Sequence, residues 1–416
     1  MRLALMACLA LSLAAESPLL VKAARLLDVR TGKIQSPGQV LVQGNRVVAG
    51  PVPRDARVLD LGDRTILPGL IDAHTHLMFP AGLTELQHLK LSRAEMVIAG
   101  VVNARTVLEA GFTTVRDLGS NSQFGEVALR DAIAAGTVPG PRMLVSGPAL
   151  SITGGHGDLN GYPCHLHVER ENIVDSPEEA VARVREWKKR GVDLIKIHAT
   201  GGVLSNHDDP AAASFSPEEF KAIVEEAGRR GMDVAAHAHG DAGILEATRA
   251  GVRSLEHCSL ASASTAREMK SRGAWMVPTL YALECIIVPG NPGRFPAGSV
   301  EKAKVIQPRR EAAFRQAVAL GVPVAYGTDI GVFDHARAAA DFRYLVAYGL
   351  SPLQAIQAAT LNAAGLLRLE SEVGTLEPGR SADLIAVEGN PLEDITVLEK
   401  VAFVMARGKV MKGAGR

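Results

Sequence analysis

Six polar side chains stand at the downstream ends of apolar runs, where their types could hold and activate a metal ion: His74, His76, Lys196, His237, His257 and Asp329. His74 and His76 lie two apart in Asp72-Ala73-His74-Thr75-His76. On a strand both imidazoles would project to the same side and could share a cation. His237 and His257 each end a later apolar run and could bind a second cation. Asp329, after Ala325-Tyr326-Gly327-Thr328, offers an oxygen ligand that can also move a proton, or a helix N-cap. Lys196 sits in Asp193-Leu194-Ile195-Lys196-Ile197-His198, where an ammonium is costly to desolvate. An ammonium has no lone pair to give a metal. A neutral Lys196 could serve as a base, or take up carbon dioxide to form a carbamate that bridges two metals. The alternative is a structural lysine that snorkels.

These residues converge only if the elements beneath them form a closed array. From residue 69 the chain cycles through a helical pattern, a Gly that ends the helix, and a short strand-like run. In the clearest cycle Ser216-Pro217-Glu218-Glu219 reads as an N-cap with a capping box. Phe220, Ile223, Val224 and Ala227 then form a helical stripe, Gly231 ends it, and a strand runs into His237. Strand candidates fall at 70–76, 113–117, 142–146, 193–197, 232–237, 253–257, 275–279 and 322–329. Eight strands alternating with helices predict an α/β chain folded as a (β/α)8 TIM barrel, whose functional residues gather at the C-terminal ends of the strands. An open doubly wound sheet is the other architecture this alternation allows. The barrel is expected over 67–366. Segments 16–66 and 367–416, with a hairpin about Gly44-Asn45, are expected to form a small β-sandwich domain from both chain ends. Connections at about 151–176, 201–216 and 286–306 are expected to be loops over the barrel mouth.

Composition excludes some partners. Lys plus Arg and Asp plus Glu both number 45, so no basic field exists to attract nucleic acid. The four cysteines, Cys8, Cys164, Cys258 and Cys285, show no CxxC spacing and imply neither a disulfide framework nor a zinc ribbon. Arg2, the apolar stretch 3–13 and the small residues up to Ala15 read as a signal peptide over 1–15, too short to span a bilayer. The mature protein would then be periplasmic or secreted. A buried N-terminal helix is the plainer alternative, and Cys8 carries a faint lipoprotein pattern.

Several motifs, in this order, resemble the metal-dependent amidohydrolase superfamily. They are Asp72-Ala73-His74-Thr75-His76-Leu77, Gly111-Phe112-Thr113-Thr114-Val115-Arg116-Asp117, Lys196-Ile197 with Gly201-Gly202-Val203, Ala236-His237-Ala238-His239-Gly240, Glu256-His257 and Gly327-Thr328-Asp329. The C-terminal runs from Ala359 to Ala364 and from Gly374 to Arg380 are similar too. The branch it is most similar to is that of imidazolonepropionase-like hydrolases, which includes Xaa-Pro dipeptidases and ochratoxin-cleaving amidohydrolases. The resemblance implies one metal held by His74, His76 and Asp329, a second held by His237 and His257, and carboxylated Lys196 between them. Two zinc ions are expected, with a hydroxide between them as nucleophile. Asp329 would act as general base and then general acid, and His239 would hydrogen-bond the carbonyl or its oxyanion. His156, Val203, Tyr281 and His335 are the candidate substrate contacts. Cys164-His165-Leu166-His167 and His198 match no fixed family pattern, which leaves the specificity open.

The expected reaction is hydrolysis of an amide bond in a dipeptide of the Xaa-Pro type or an N-acyl amino acid, with ochratoxin-like amides also eligible. A cyclic amide or lactone hydrolase is the enzymatic alternative, and a metal-free, non-catalytic scaffold is the alternative of another class. The resemblance also implies a homo-oligomer, an octamer among the expected assemblies, acting on a small-molecule amide without nucleic acid or a membrane span.

Overall fold

The computed structural model describes residues 17–163, 171–288 and 295–413. The expected signal peptide with Cys8, and Cys164, His165 and His167, lie outside the described residues.

Parallel strands Leu70–Thr75, Phe112–Asp117 and Arg142–Val145 form one arc, and Ile195–His198, Val234–Ala238, Ser254–His257 and Trp275–Val277 form another. Backbone bonds join the arcs. Leu150 N–H donates to the Lys196 carbonyl and His198 N–H to the Leu150 carbonyl, both at 2.9 Å. On the far side segment 322–329 lies between the first and seventh strands. Ala325 N–H donates to the Met276 carbonyl at 3.0 Å and Ala73 N–H to the Tyr326 carbonyl at 2.9 Å. The ring is thus the TIM barrel expected from the alternation of strands and helices. The expectation of a regular eighth strand at 322–329 is corrected, because only the isolated bridges Met276↔Val324 and Thr75↔Ile330 form there. Pro323 has no N–H to give a ladder, and Asp329 turns into the left-handed region at φ 61°.

The helices follow their sequence signals. Helix Pro217–Arg229 carries the full capping box from Ser216 and Glu219, and buries Phe220, Ile223 and Ala227. Burial of a Phe or Ile side chain contributes about 1.5–3 kcal/mol. The Arg230 C-cap is followed by Gly231 at φ 70°, which a side chain would strain. Segment 286–306 is corrected from loop to largely helix. Helix Leu280–Ile287 enters it, and helix Ala297–Leu320 starts within it and continues through Pro308.

Strands from the two chain ends form two further sheets. One is ordered Arg46–Val47, Gly38–Gln43, Leu19–Ala23, Arg57–Asp60. The other runs Lys409–Lys412, Phe403–Ala406, Leu384–Glu388, Arg64–Pro68, Arg25–Leu27, Ile34–Gln35. The hairpin turns at Gly44-Asn45, with Gln43 opposite Arg46. Val21, Val40 and Val42 share one buried cluster with Leu384, Phe403 and Met405, so the ends of the chain pack together. Among the described residues no helix is long and apolar enough to cross a membrane.

Candidate metal centre

All six residues singled out by sequence lie at or just past the C-terminal ends of barrel strands, and four of them, His74, Lys196, His237 and His257, are at most 6 % exposed. The backbone is strained at this rim. His257, Cys258, Thr279 and Asp329 have φ of 69°, 50°, 46° and 61° without being glycine. Such residues cost about 1–3 kcal/mol each and cluster at functional sites.

Proton accounting shows what the imidazoles offer. His74 Nδ1–H donates to Glu256 Oε2 at 2.9 Å, and His76 Nδ1–H donates to the Gly119 carbonyl at 2.7 Å. Both Nε2 atoms then face Asp329 Oδ1, at 3.2 and 3.1 Å. Two lone pairs and a carboxylate oxygen around one point attract a cation, and their spacing suits ligands held ~2.0–2.2 Å from zinc. On the other side His237 Nε2–H donates to the Gly201 carbonyl at 3.2 Å, which turns the Nδ1 lone pair toward His257 Nε2, 3.0 Å away. His257 Nδ1 in turn meets Thr279 Oγ1 at 2.6 Å. The ligand atoms of His74, His257 and Asp329 lie within 4.8 Å of one another, and so do those of His237, His239 and His257.

Electrostatics keep His237, His257 and Asp329 in ligand form, whereas burial lowers the His76 imidazole but Asp329 raises it above its usual range, so that a cation bound there would displace its Nε2 proton. Burial holds His237 and His257 well below the usual imidazole range, so both stay neutral. Burial raises the Asp329 carboxyl, but His74 and His76 outweigh it and keep the group ionised. Lys196 is 2 % exposed, and burial brings its ammonium down to about 8, against the opposing charges of Glu256 and Asp329. At pH 7 roughly a tenth of it is therefore neutral, the form that reacts with carbon dioxide.

A second ring of residues, not assigned any role from sequence, holds the ligands. Glu256 accepts the hydrogen bond from His74 Nδ1–H and is itself held by Arg116 Nη2 at 2.9 Å and Ser254 Oγ at 2.6 Å. Burial drives Glu256 upward, yet Arg116, His74 and Lys196 bring it to about 2. Asp72 accepts from the His74 N–H at 3.0 Å and Thr328 Oγ1 at 2.6 Å, tying the first ligand strand to the segment that carries Asp329. The sequence signal for Glu256 and Arg116 was available: each is a charged residue inside an apolar strand.

The candidate substrate contacts divide. His156 stacks on His237 with centroids 4.3 Å apart, and His198 meets His156 edge-on at 4.8 Å. His239 Nδ1 bonds Ser259 Oγ at 2.9 Å, and its ring lies 15° from parallel to His257. His335 Nε2–H reaches the His76 carbonyl at 3.3 Å. Val203 packs in an apolar cluster with Leu283, Ile286 and Ile306. Tyr281 is 7 % exposed between Phe333 and Tyr344, with the Arg337 guanidinium 4.6 Å from its ring centre. Cys258 and Cys285 are both buried thiols, not joined in a disulfide.

The sequence pattern of the amidohydrolase family matches residues 65–411. Ochratoxinase of Aspergillus niger is 37 % identical over 379 residues, covering 84 % of this chain and 76 % of that protein. Imidazolonepropionase of Symbiobacterium thermophilum is 26 % identical over 412 residues, covering 94 % and 90 %. Among solved structures, a Xaa-Pro dipeptidase with methionine bound in its active site superposes with a TM-score of 0.91 at 37 % identity, covering 95 % of this chain and 100 % of the other.

Proposed function

The chain belongs to the amidohydrolase family and is a hydrolase acting on amide bonds, and from that premise we propose that it is a dinuclear enzyme releasing a C-terminal amino acid from dipeptides or N-acyl amino acids. Ochratoxinase and a Xaa-Pro dipeptidase, both 37 % identical to it, support that substrate class. The observation that carries the metal reading is the convergence of His74 Nε2 and His76 Nε2 on Asp329 Oδ1, with both Nδ1 protons already donated elsewhere.

In this reading His74, His76 and Asp329 would hold one cation, His237 and His257 would hold the other, and Lys196 as its carbamate would serve as a ligand to them. Zinc fits the nitrogen and oxygen donor set. When bound, the cations supply Lewis acidity toward the scissile carbonyl and lower the pKa of water. Asp329 takes the proton of the attacking water and returns it to the leaving amine. This reading leaves His239 off the metals, with its Nδ1 bonded to Ser259 Oγ, although its ligand atom lies within 4.8 Å of those of His237 and His257. It is placed to hydrogen-bond the developing oxyanion. Arg116 and Glu256 hold the His74 ring so that Nε2 keeps its lone pair. His156 meets the substrate, while Val203, Tyr281 and His335 brace the surrounding loops.

We read segments 16–66 and 367–416 as one small β-sandwich domain beside the barrel of 67–366. Residues 1–15 as an export signal would make the enzyme periplasmic or secreted, and a homo-oligomer is the proposed assembly.

The test is free amino acid released from Xaa-Pro and other dipeptides and N-acyl amino acids by zinc-loaded protein. Release from a defined subset is expected. No release from any member, with turnover of a cyclic amide or lactone instead, would transfer the site to the imidazolonepropionase-like reaction.

A further inference from the structure

The loops after the third and fourth barrel strands are joined by a chain of polar groups to which, His156 apart, the proposed chemistry gives no role. His156 Nδ1 lies 2.6 Å from Ser205 Oγ, and Ser205 Oγ lies 2.6 Å from Asp208 Oδ2. That carboxylate oxygen also accepts the Gly202 N–H at 2.8 Å. Lys302, on helix Ala297–Leu320, donates to Asp208 Oδ1 at 2.8 Å and to the Gly202 and Ser205 carbonyls at 3.0 and 2.9 Å. At the other end the His156 ring stacks on His237. Gly202 permits this approach, since a Cβ there would fall 2.1 Å from His156 Nδ1.

The direction of each bond follows from what each group can give. Burial raises the Asp208 carboxyl, but Lys302, Ser205 and the Gly202 N–H outweigh it and hold it below the usual range, so it accepts only. Ser205 has one proton. Its remaining neighbour among the described residues, the Gly202 carbonyl at 3.4 Å, also accepts only. The short bond to an ionised oxygen claims the hydroxyl proton. Ser205 Oγ can then only accept from His156, which places the imidazole proton on Nδ1 and leaves Nε2 bare.

We propose that Asp208, acting through Ser205, is a positioning residue that fixes His156 in its Nδ1–H tautomer and presents Nε2 as a hydrogen-bond acceptor beside His237. An acceptor at this place selects substrates with a donor near the scissile bond, an amide N–H or an α-ammonium. That consequence rests on the amide-hydrolase reading, whereas the tautomer does not.

The experiment uses the zinc-loaded full chain with 15N-labelled histidine, His156 being assigned by difference against His156→Gln. A protonated, pyrrole-type Nδ1 and a bare, pyridine-type Nε2 are expected. Ser205→Ala removes the acceptor and should release the fixed tautomer and lower kcat/KM roughly tenfold with metal content unchanged. Ser205→Thr should restore both. If Ser205→Ala does not fold, Asp208→Asn serves, because an amide that can donate to Ser205 no longer dictates the direction of the chain. An Nε2–H tautomer in the unaltered protein would overturn the proposal. So would a wild-type tautomer in Ser205→Ala or, failing that, in Asp208→Asn. Because the nitrogen signals need no substrate, a wrong amide assignment and a wrong tautomer assignment are told apart.

Discussion

Lys196 shows how a single residue type can betray a site: an ammonium inside an apolar strand is costly unless its chemistry changes. Lys196→Ala should lower bound metal and cut kcat/KM by on the order of 100-fold or more, a loss at least as large as those seen when ligand-supporting groups are removed. Metal analysis beside steady-state kinetics checks it. Full metal content and activity would remove the bridging role. A different buried group sets a pH dependence. Burial, with the nearby Asp117 charge, raises Glu126 to about 7. A carboxyl raised in the folded state contributes stability that is complete below its unfolded value of 4.5 and is lost as pH rises through 7. Glu126→Gln should therefore gain on the unaltered protein between those pH values, by on the order of 3 kcal/mol. Urea midpoints of metal-free protein across that range measure it, and a constant difference would contradict it. The six ligand candidates were legible because each interrupts or ends an apolar run. Ser205 and Asp208 were not, since a loop serine or aspartate gains its meaning only from the imidazole and lysine that folding brings to it.

At the scale of elements, the strands were legible where the apolar run and its ladder coincide, and illegible where one exists without the other. Segment 322–329 has the apolar pattern, yet Pro323 and the left-handed Asp329 prevent a regular ladder. The first turns of helix Ala297–Leu320 hid behind Pro308 and the Gly and Pro residues before it. Barrel closure makes tight demands beside the ligands. A Cβ on Gly327 would lie 2.3 Å from Val277 Cγ1 and 2.9 Å from His74 Cβ. Gly327→Ala should destabilise by about 1–3 kcal/mol, as overpacking does, and weaken metal retention because His74 must move. Thermal unfolding with and without added zinc reads both effects. An unchanged Tm and unchanged metal content would show that the two strands yield without cost.

At the scale of the whole molecule, the chain ends brace the barrel. Strand Leu384–Glu388 pairs with Arg64–Pro68, which leads directly into the strand bearing His74. Gly69 N–H donates to the Asp383 carbonyl at 2.8 Å, and Lys412 Nζ reaches the Glu109 carbonyl at 2.9 Å. Deleting 381–416 would uncover the buried Ile66 and Leu67, so the truncated protein should be insoluble or metal-free. Soluble yield and metal content test this. The alternation of helix and strand foretold the barrel. It could not foretell how strands 300 residues apart in sequence pair, because pairing partners leave no mark in either segment alone.

The central claim is that a pair of cations at one barrel mouth hydrolyses an amide. Its most direct test is to strip the protein with a chelator, return zinc in steps, and follow amino acid release from an accepted substrate. Release absent from stripped protein and rising until two zinc ions are bound per chain is the predicted result. Release by the stripped protein, or a plateau at one ion, would contradict the account.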